Sequence, residues 1–275
     1  MASADARSLV ARPERELVAE LAKGGPALVA LSGGVDSALV ASLAHEALGA
    51  RAIAVTLSGP AVSAAELERA RAVAAAVGIA HRVVAADPLA RAEYRANPSN
   101  RCYFCRSVET AALREVGRQL GTAQYLDGVH VDDLGDDRPG LRAMDEAGFV
   151  HPLLRAGWRK TDVRRAARRR GLPNWDQPSD ACLASRVAHG EPISGPLLRR
   201  IEAAEAEIRG AGFRQVRVRV RGDRARIEVG PDEVARLAEP ERARRVARRL
   251  EELGFASVTI DPRGYGAARP VGGAP

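Results

Sequence analysis

A short loop at residues 32–37 has a composition that suits the binding of an anion. It follows an apolar run at 26–31 and precedes a helical pattern. Its two glycines allow backbone N–H groups to curl around an anion, and the positive end of the following helix adds a favourable dipole. Two serine hydroxyls add donors, and the aspartate offers a carboxylate for Mg²⁺. The residues concerned are Ser32, Gly33, Gly34, Asp36 and Ser37.

Cysteine occurs at three positions only, Cys102, Cys105 and Cys182. The first two form a Cys-x-x-Cys pair at the start of a predicted helix. In a chain of intracellular character, this pattern favours metal or redox chemistry over a structural disulfide. Three interpretations stay open: a [4Fe–4S] cluster with one open iron, a Zn²⁺ site completed by a histidine, or a sulfur relay through disulfide or persulfide states. The histidines available for zinc are His81, His130, His151 and His189.

A third group of candidate residues lies in the last third of the chain. Arg217, Arg219 and Arg221 alternate along a predicted strand, so their side chains project from one face. Like charges in a row are unfavourable unless an anion or acids compensate them, and Glu228 on the next predicted strand is placed to lie opposite. The pattern indicates either an anion site or a strand that faces solvent.

The elements that position these residues alternate between strands and helices. Apolar runs typical of buried parallel strands occupy 26–31, 51–57, 81–85 and 123–127, and helical patterns occupy 7–22, 38–48, 61–77, 104–120 and 161–170. This order predicts an α/β fold with a parallel sheet covered by helices on both faces. Residues 128–140 and 173–196 are expected to be loops. Helices at 196–210 and 232–253, with strands at 215–220, 225–229 and 255–260, predict a smaller α+β domain. We expect domains at 1–190 and 191–262 and a flexible tail at 263–275.

The composition favours a cytoplasmic protein that binds anions. Hydrophobic residues make up 46% of the 275 positions, which excludes a largely disordered chain. No apolar run approaches the roughly 18–20 residues of a membrane-spanning helix, and the N-terminus lacks an apolar signal-peptide core. Of the 42 lysines and arginines 40 are arginine, and the net charge of +7 favours phosphate-bearing ligands. We therefore expect no membrane partner.

The segment SGGVDS resembles the signature of the PP-loop ATP pyrophosphatases, which adenylate an acceptor and release pyrophosphate. It lacks the lysine of P-loop kinases and GTPases, so those classes fit poorly. The resemblance implies that ATP and Mg²⁺ bind at the loop. It also implies that the backbone near Val55 and Leu57 contacts adenine and that Gly128 closes over the ribose.

Four segments together resemble the LarE family of ATP-dependent sulfur transferases, which build the nickel-pincer nucleotide cofactor of lactate racemase. They are SGGVDSA, DGVHVDDLGDDRPG, GLPNWDQPSDACLASR and the VRVR…ARIEV hairpin. The match runs from about residue 10 to residue 260. The resemblance implies adenylation of a carboxylate of pyridinium-3,5-biscarboxylic acid mononucleotide, followed by replacement of the activated oxygen with sulfur.

The same resemblance implies roles for individual residues. Cys182 falls on the family's sulfur-handling cysteine. Substrate phosphate and carboxylates would be bound by Ser185, Arg186, Arg217 and Arg219, with Glu205 and Glu228 lining the same pocket. Because the Cys-x-x-Cys pair is present, the chain is similar to the branch in which Cys102, Cys105 and Cys182 hold a [4Fe–4S] cluster and sulfide is transferred from its open iron. In the sacrificial branch the cysteine at position 182 gives up its own sulfur. His130 and the acidic loop at 132–137 receive no role.

Two other functions stay open. A tRNA thiolation enzyme of the 2-thiocytidine type also combines a PP-loop with three cluster cysteines, and the basic charge fits it. The CLASR and VRVR segments fit it less well, so we expect a small-molecule substrate rather than a nucleic-acid partner. The LarE resemblance implies in addition a separate sulfide source and a homo-oligomer. A non-catalytic iron–sulfur or zinc carrier is disfavoured by the intact SGGVDS loop.

Overall fold

The computed structural model describes residues 11–134, 139–178 and 180–266. The chain divides into two units. The first comprises the residues up to Tyr94 together with Ser99–Asp180, and the second comprises Arg95–Pro98 together with the residues from Ala181 onward. The domain limits expected from the sequence, 1–190, 191–262 and 263–275, stay predictions, and residues 267–275 lie outside the described part. No helix in that part is long and apolar enough to cross a membrane.

The elements of the first unit alternate as the sequence predicts. Its strands are β1 (Ala27–Ala30), β2 (Ala52–Ser58), β3 (Ala80–Ala85) and β4 (Gln124–Leu126). Its helices are α1 (Glu14–Lys23), α2 (Val35–Leu48), α3 (Ala64–Val77), α4 (Ala92–Arg95, which ends in the second unit), α5 (Arg101–Gln119), α6 (Pro139–Glu146), α7 (Pro152–Arg155) and α8 (Lys160–Arg169).

The four strands of the first unit form a parallel sheet in the order β3-β2-β1-β4. Because the strands are parallel, their carboxyl ends meet at one edge of the sheet, and the loops that follow β1, β2 and β4 gather there. Loop 32–37 is one of them. This arrangement confirms the α/β fold predicted from the sequence.

Apolar side chains cover the sheet on both faces. On β1, Val29 packs in a core with Leu39 of α2 and further residues of α1 and α8. Its neighbour Leu28 belongs to a second core with Leu113 of α5 and Met144 of α6. A strand that is buried on both faces carries apolar residues at every position, which explains the continuous apolar run in the sequence.

Several helices begin a few residues away from the predicted position, and two of these shifts bear on the site. Helix α1 begins directly after Pro13, which occupies the N-cap, and its predicted first residues, 7–10, lie outside the described part. Helix α2 begins earlier than predicted, so that Asp36 and Ser37 stand in its first turn. The carboxylate and the second hydroxyl of loop 32–37 are therefore placed by a helix rather than by an irregular loop.

The predicted loop at 128–140 contains regular structure. A 3₁₀ turn occupies Val131–Asp133, and α6 begins at Pro139, whereas residues 135–138, including Asp136 and Asp137, lie outside the described part. Helix α7 was not predicted either. Both helices are too short to be stable alone, and burial of Met144 and Leu153 stabilises them.

The second unit contains a smaller mixed sheet. Its elements are α9 (Gly195–Gly210), β5 (Val216–Arg221), β6 (Arg224–Val229), α10 (Val234–Leu237), α11 (Pro240–Glu252) and β7 (Ser257–Ile260). Strands β5 and β6 pair antiparallel as predicted, and β6 pairs with β7 in parallel. The helix predicted at 232–253 is interrupted before Pro240, because proline has no N–H to donate and its ring clashes with the preceding turn.

Candidate functional site

A cavity of about 540 Å³ opens at the carboxyl ends of β1, β2 and β4 in the first unit. Its volume lies within the range of roughly 300–1,000 Å³ that is usual for small-ligand sites. Most of the predicted ATP-binding residues line its wall, namely Ser32, Asp36, Ser37, Val55, Leu57 and Gly128. Gly33 and Gly34 belong to the same loop. The fold thus brings together residues that are far apart in the sequence.

Loop 32–37 is held in shape by hydrogen bonds between its own residues. The Ser37 hydroxyl donates to the carbonyl of Gly34 at 3.1 Å and accepts from the backbone N–H of Ser32 at 3.1 Å. The Ser32 hydroxyl accepts from the backbone N–H of Gly34 at 3.3 Å and lies 3.1 Å from the Ser37 hydroxyl. The two serines therefore fix the path of the loop before any ligand binds, which lowers the entropy lost on binding.

Close packing requires glycine at two positions of the site. Gly33 has a φ of 80°, and a Cβ atom there would lie 2.9 Å from the carbonyl oxygen of Glu66. A Cβ atom at Gly128 would lie 2.6 Å from the backbone nitrogen of Ser37. The absence of a side chain at Gly128 lets the segment after β4 pack directly against the first turn of α2.

Asp36 contacts a cation that the sequence analysis missed. The Nζ atom of Lys160 donates to both carboxylate oxygens of Asp36, at 2.7 and 2.6 Å. Asp132 accepts from the backbone N–H of Lys160 at 2.8 Å, and this bond, together with Arg159, lowers the pKa of the Asp132 carboxyl. Part of the acidic loop therefore anchors the start of α8. Lys160 is one of two lysines beside 40 arginines, and this rarity is the signal that could have drawn attention to it.

Asn174 is a second residue that sequence reasoning missed. Its Nδ2 group donates to the carbonyl oxygen of Gly33 at 2.9 Å, and the residue is buried. Its buried Oδ1 atom has no hydrogen-bond partner in the described part of the chain. Asn174 lies in the segment 173–196, which was predicted as an irregular loop, and no local pattern links it to Gly33.

A buried histidine supports the cavity wall from behind. His151 contacts Asp127 through Nδ1 at 2.7 Å and Asp145 through Nε2 at 2.8 Å. Burial alone would lower the pKa of His151, but the hydrogen bonds and charges of the two carboxylates outweigh it and raise the pKa. Asp127 lines the cavity and directly precedes Gly128. His151 therefore fixes the segment that packs against α2.

Two other histidines considered as zinc ligands also contact protein groups. His81 Nε2 lies 2.8 Å from the hydroxyl of Thr56, and burial together with the charge of Arg71 lowers the pKa of His81. The Thr56 hydroxyl donates to the carbonyl of Leu31 at 2.7 Å, so it accepts from His81. His130 Nε2 lies 3.6 Å from a carboxylate oxygen of Asp36.

The three cysteines are divided between the two units. Cys102 and Cys105 lie one turn apart at the start of α5, where Cys102 is exposed and lines the cavity. Cys105 Sγ lies 3.3 Å from a carboxylate oxygen of Glu109. Cys182 is half-buried and stands directly before a 3₁₀ turn at Leu183–Arg186 of the second unit. In residues 11–134, 139–178 and 180–266, no group of three or more His, Cys, Asp or Glu side chains is arranged to hold a metal ion.

The alternating arginines of β5 face acidic and aromatic groups. Glu228 lies opposite Arg217 in the β5–β6 register and accepts from Arg219 at 3.0 Å and from Arg226 at 3.3 Å. Arg217 is only 3% exposed, and its guanidinium lies 4.8 Å from the ring centre of Tyr265. This face of β5 is therefore largely covered rather than open to solvent.

Arg186 and Glu205 form a buried ion pair in the second unit. Their side chains are 1% and 0% exposed, and two parallel hydrogen bonds of 2.7 and 3.1 Å join them. All the residues predicted to bind the substrate lie in this unit: Ser185, Arg186, Glu205, Arg217, Arg219 and Glu228. Sequence reasoning grouped them through a resemblance, and the structure connects them through shared carboxylates and the 3₁₀ turn at Leu183–Arg186.

Comparison with known proteins relates the chain to nucleotide-using enzymes. The family model of NAD synthase matches residues 15–115. An uncharacterised protein of Synechocystis is 41% identical over 87% of this chain and 89% of its own length. Pyridinium-3,5-bisthiocarboxylic acid mononucleotide synthase of Lactiplantibacillus plantarum is 33% identical over 94% of both chains. This chain belongs to the LarE family.

An uncharacterised protein of Methanocaldococcus jannaschii is 27% identical to this chain over 85% of this chain and 88% of its own length. The NAD synthase match includes loop 32–37, β2 and the Cys-x-x-Cys pair. Together these comparisons confirm the LarE resemblance and the PP-loop fold, and they support an enzyme that uses ATP. The roles of single residues stay predictions.

Proposed function

We propose that this member of the LarE family is an ATP-dependent sulfur transferase that acts on pyridinium-3,5-biscarboxylic acid mononucleotide. The observation that carries the proposal is the cavity in which loop 32–37, the end of β2 and Gly128 meet. The relative from Lactiplantibacillus plantarum, which is named as the synthase of the corresponding bisthiocarboxylic acid, supports the choice of substrate because the identity extends over nearly the whole chain.

The reaction needs ATP because a carboxylate is a poor electrophile. In the first step a carboxylate oxygen of the substrate attacks the α-phosphorus of ATP, and the bond to pyrophosphate breaks. In the second step a sulfide sulfur attacks the acyl carbon, and AMP leaves with the former carboxylate oxygen. The products are a thiocarboxylate, AMP, pyrophosphate and one proton from the hydrosulfide. The first step thus replaces a poor leaving group with a good one, AMP, which the sulfide displaces in the second step.

The first unit would carry out adenylation. Backbone N–H groups of loop 32–37 and the positive end of α2 would stabilise the charge on the departing pyrophosphate. Asp36 would hold Mg²⁺, and the site fits a hard cation because its carboxylate lines the cavity and already attracts the ammonium group of Lys160. The backbone near Val55 and Leu57 would contact adenine, and Gly128 would lie at the ribose.

The second unit would handle substrate anions and sulfur. Arg219 of β5 has a side chain that is 26% exposed, and guanidinium groups bind phosphate and carboxylate through paired N–H donors. Ser185 is half-buried and lies next to Arg219, because the Ser185 carbonyl accepts from Arg219 at 2.8 Å. Cys182 stands at the start of the same turn and is the residue we assign to sulfur.

The proposal includes a [4Fe–4S] cluster bound by Cys102, Cys105 and Cys182. The donor chemistry suits such a cluster, because the chain has three thiols and two of them lie one helical turn apart with Cys102 exposed, whereas Cys182 belongs to the other unit. When bound, such a cluster would supply an iron position for sulfide. The competing chemistry, sacrifice of the Cys182 sulfur, needs neither Cys102 nor Cys105 and leaves dehydroalanine at position 182.

Mass spectrometry of position 182 after turnover distinguishes these two chemistries. We expect an intact Cys182 in anaerobically prepared protein, together with iron and sulfide that are lost in Cys102→Ala and Cys105→Ala. Loss of one H₂S at Cys182, with normal sulfur transfer by both alanine variants, would establish sacrifice instead.

The proposal as a whole is tested by pyrophosphate release in the presence of alternative acceptors. We expect release with the pyridinium mononucleotide, none with tRNA, and none from Asp36→Asn with either acceptor. Asp223→Asn, in the turn between β5 and β6, serves as a matched control and is expected to behave as the wild type. Release that depends on tRNA, or near-normal turnover by Asp36→Asn at saturating Mg²⁺, would overturn the proposal.

A further inference from the structure

We infer that Arg186 and Glu205 are positioning residues that hold the Cys182 turn (residues 181–186), and that Arg186 does not itself bind the substrate. The inference rests on the proposed function, in which Cys182 handles sulfur. It concerns two residues that the family resemblance assigned to substrate binding. The evidence for it is the set of protein groups to which the Arg186 guanidinium donates hydrogen bonds.

The Arg186 guanidinium donates from one end to the backbone on both sides of the Cys182 α-carbon. Its Nη1 atom donates to the carbonyl of Ala181, to the carbonyl of Cys182 at 3.1 Å and to the hydroxyl of Ser185 at 3.0 Å. The Cys182 carbonyl also accepts from the backbone N–H of Ser185 at 2.9 Å. The peptide groups next to the cysteine are thus fixed by several bonds, of which Arg186 supplies most.

The other end of the guanidinium is held by Glu205, whose carboxylate accepts from two further groups. Arg186 Nε and Nη2 donate to the two oxygens of Glu205. The Glu205 carboxylate also accepts from the backbone N–H of Val218 on β5 at 3.0 Å and from Arg209 on α9 at 2.7 Å. Glu205 lies on α9, so the turn is connected through Arg186 to a helix and to a strand.

Burial excludes a direct role of this arginine in binding an anion. Arg186 donates from all three of its guanidinium nitrogens to protein groups, and its side chain is 1% exposed. A substrate phosphate would have to break a buried, two-pronged ion pair to reach it, which would leave Glu205 as a buried charge without its partner. Side chains that are locked in this way serve to position a reactive group rather than to contact the ligand.

The opposite end of the Cys182 turn is held by a second arginine in the same manner. Arg219 donates to the carbonyl of Ser185 at 2.8 Å and to Glu228 at 3.0 Å. Unlike Arg186, Arg219 has a side chain that is 26% exposed, so it can contact a ligand as well. Because Arg219 is exposed enough to contact a ligand, the inference applies only to Arg186 and Glu205.

Alkylation of the cysteines tests the inference without any need for turnover. The full chain, freed of metal with a chelator and reduced, is treated with iodoacetamide, and the rate at each cysteine is measured by peptide mass spectrometry. In the double variant Arg186→Met with Glu205→Met, which removes the ion pair but preserves an apolar volume, we expect Cys182 to react at least about fivefold faster, the effect of losing one ordinary hydrogen bond. Cys102 and Cys105 in the same chain are expected to keep their rates.

Matched variants show whether the effect is specific. Arg200→Met removes an arginine of α9 that stacks on Phe255, and we expect it to leave the alkylation rate of Cys182 unchanged. If the double variant does not fold, Glu205→Gln replaces it, since glutamine keeps an acceptor for Val218 but weakens the hold on Arg186. An unchanged Cys182 rate in a folded variant would overturn the inference.

Steady-state kinetics of Arg186→Lys separates positioning from binding. We expect a lower kcat for thiocarboxylate formation with a KM for the pyridinium mononucleotide within about twofold of the wild type. A direct charge-assisted contact to the substrate would instead raise KM roughly ten- to hundredfold. A rise of that size together with unchanged alkylation would show that Arg186 binds the substrate. If the wild type forms no thiocarboxylate, the proposed function fails, but the alkylation result still decides the inference.

Discussion

Loop 32–37 and the Cys182 turn carry the chemistry assigned to the two units, and they are stabilised in opposite ways. The first is held mainly by uncharged groups, through the hydroxyls of Ser32 and Ser37 within the loop and the amide of Asn174 from outside it. The second is held by a buried ion pair between Arg186, the last residue of the turn, and Glu205 on α9. Loop 32–37 keeps its N–H groups beside an open cavity, whereas the Cys182 turn directs its carbonyls at guanidinium groups.

The difference follows from what each segment has to bind. A phosphate site needs backbone donors and a net positive potential, which short-range bonds and a helix terminus supply without any buried charge. A reactive cysteine needs a fixed backbone, and a buried ion pair can hold a backbone segment in place. Loss of either partner of such a pair is strongly destabilising, because it leaves the other charge buried and unpaired. The two segments should therefore respond differently to small changes in shape and in charge.

The largest effect is expected from a change of shape at loop 32–37. In Gly128→Ala the new Cβ atom would lie 2.6 Å from the backbone nitrogen of Ser37, so the first turn of α2 has to shift. A shift of roughly 1 Å at a catalytic site lowers rates about a hundredfold, and we expect pyrophosphate release to fall by that factor. Gly210→Ala, where an added Cβ atom meets nothing within 4 Å, is the control and should keep the wild-type rate. A near-normal rate for Gly128→Ala would show that this close approach is not needed.

A change of charge in the second unit should act on one ligand only. We expect Arg219→Ala, whose side chain is 26% exposed, to weaken binding of the pyridinium mononucleotide roughly ten- to hundredfold, since a charge-assisted contact contributes about 1.5–3 kcal/mol. ATP affinity should change by less than about twofold. Calorimetric titration with each ligand measures both. Arg221→Ala, at the exposed end of the same strand, is the matched control, and equal losses for both ligands would contradict the division between the units.

The smallest expected effect is a pH-dependent change in stability behind the cavity wall. The pKa of His151 is raised in the folded chain above its ordinary value of 6.5, so its stabilising contacts are fully present below that pH and are lost as the pH rises through the folded pKa. We expect His151→Gln to lower the free energy of unfolding by about 1 kcal/mol more at pH 6 than at pH 9. Urea unfolding at both pH values, with His189→Gln as the control, measures the difference. A loss that is equal at both pH values would show that His151 acts through packing alone.

The distance in sequence between contacting residues determines which of these features could be predicted from the sequence. Loop 32–37 could be predicted from the sequence because its glycines, serines and aspartate are neighbours in the chain and follow an apolar run. The positions of β1, β2 and the β5–β6 hairpin could be predicted for the same reason, since the periodicity of apolar residues and the composition are local properties of the sequence. Arg186 was identified only by resemblance, and its pairing with Glu205 depends on packing between a turn and α9. Lys160 and Asn174 were missed because their contacts to loop 32–37 span more than 120 residues.

The central claim is that adenylation and sulfur transfer depend on different residues, and one assay with two variants tests it directly. Exchange of labelled pyrophosphate into ATP, dependent on the pyridinium mononucleotide, reports adenylation, and mass spectrometry of the product reports the thiocarboxylate. Cys182→Ala is predicted to keep the exchange and to form no thiocarboxylate, whereas Asp36→Asn is predicted to lose both. Wild-type thiocarboxylate formation by Cys182→Ala, or sustained exchange by Asp36→Asn, would contradict the claim.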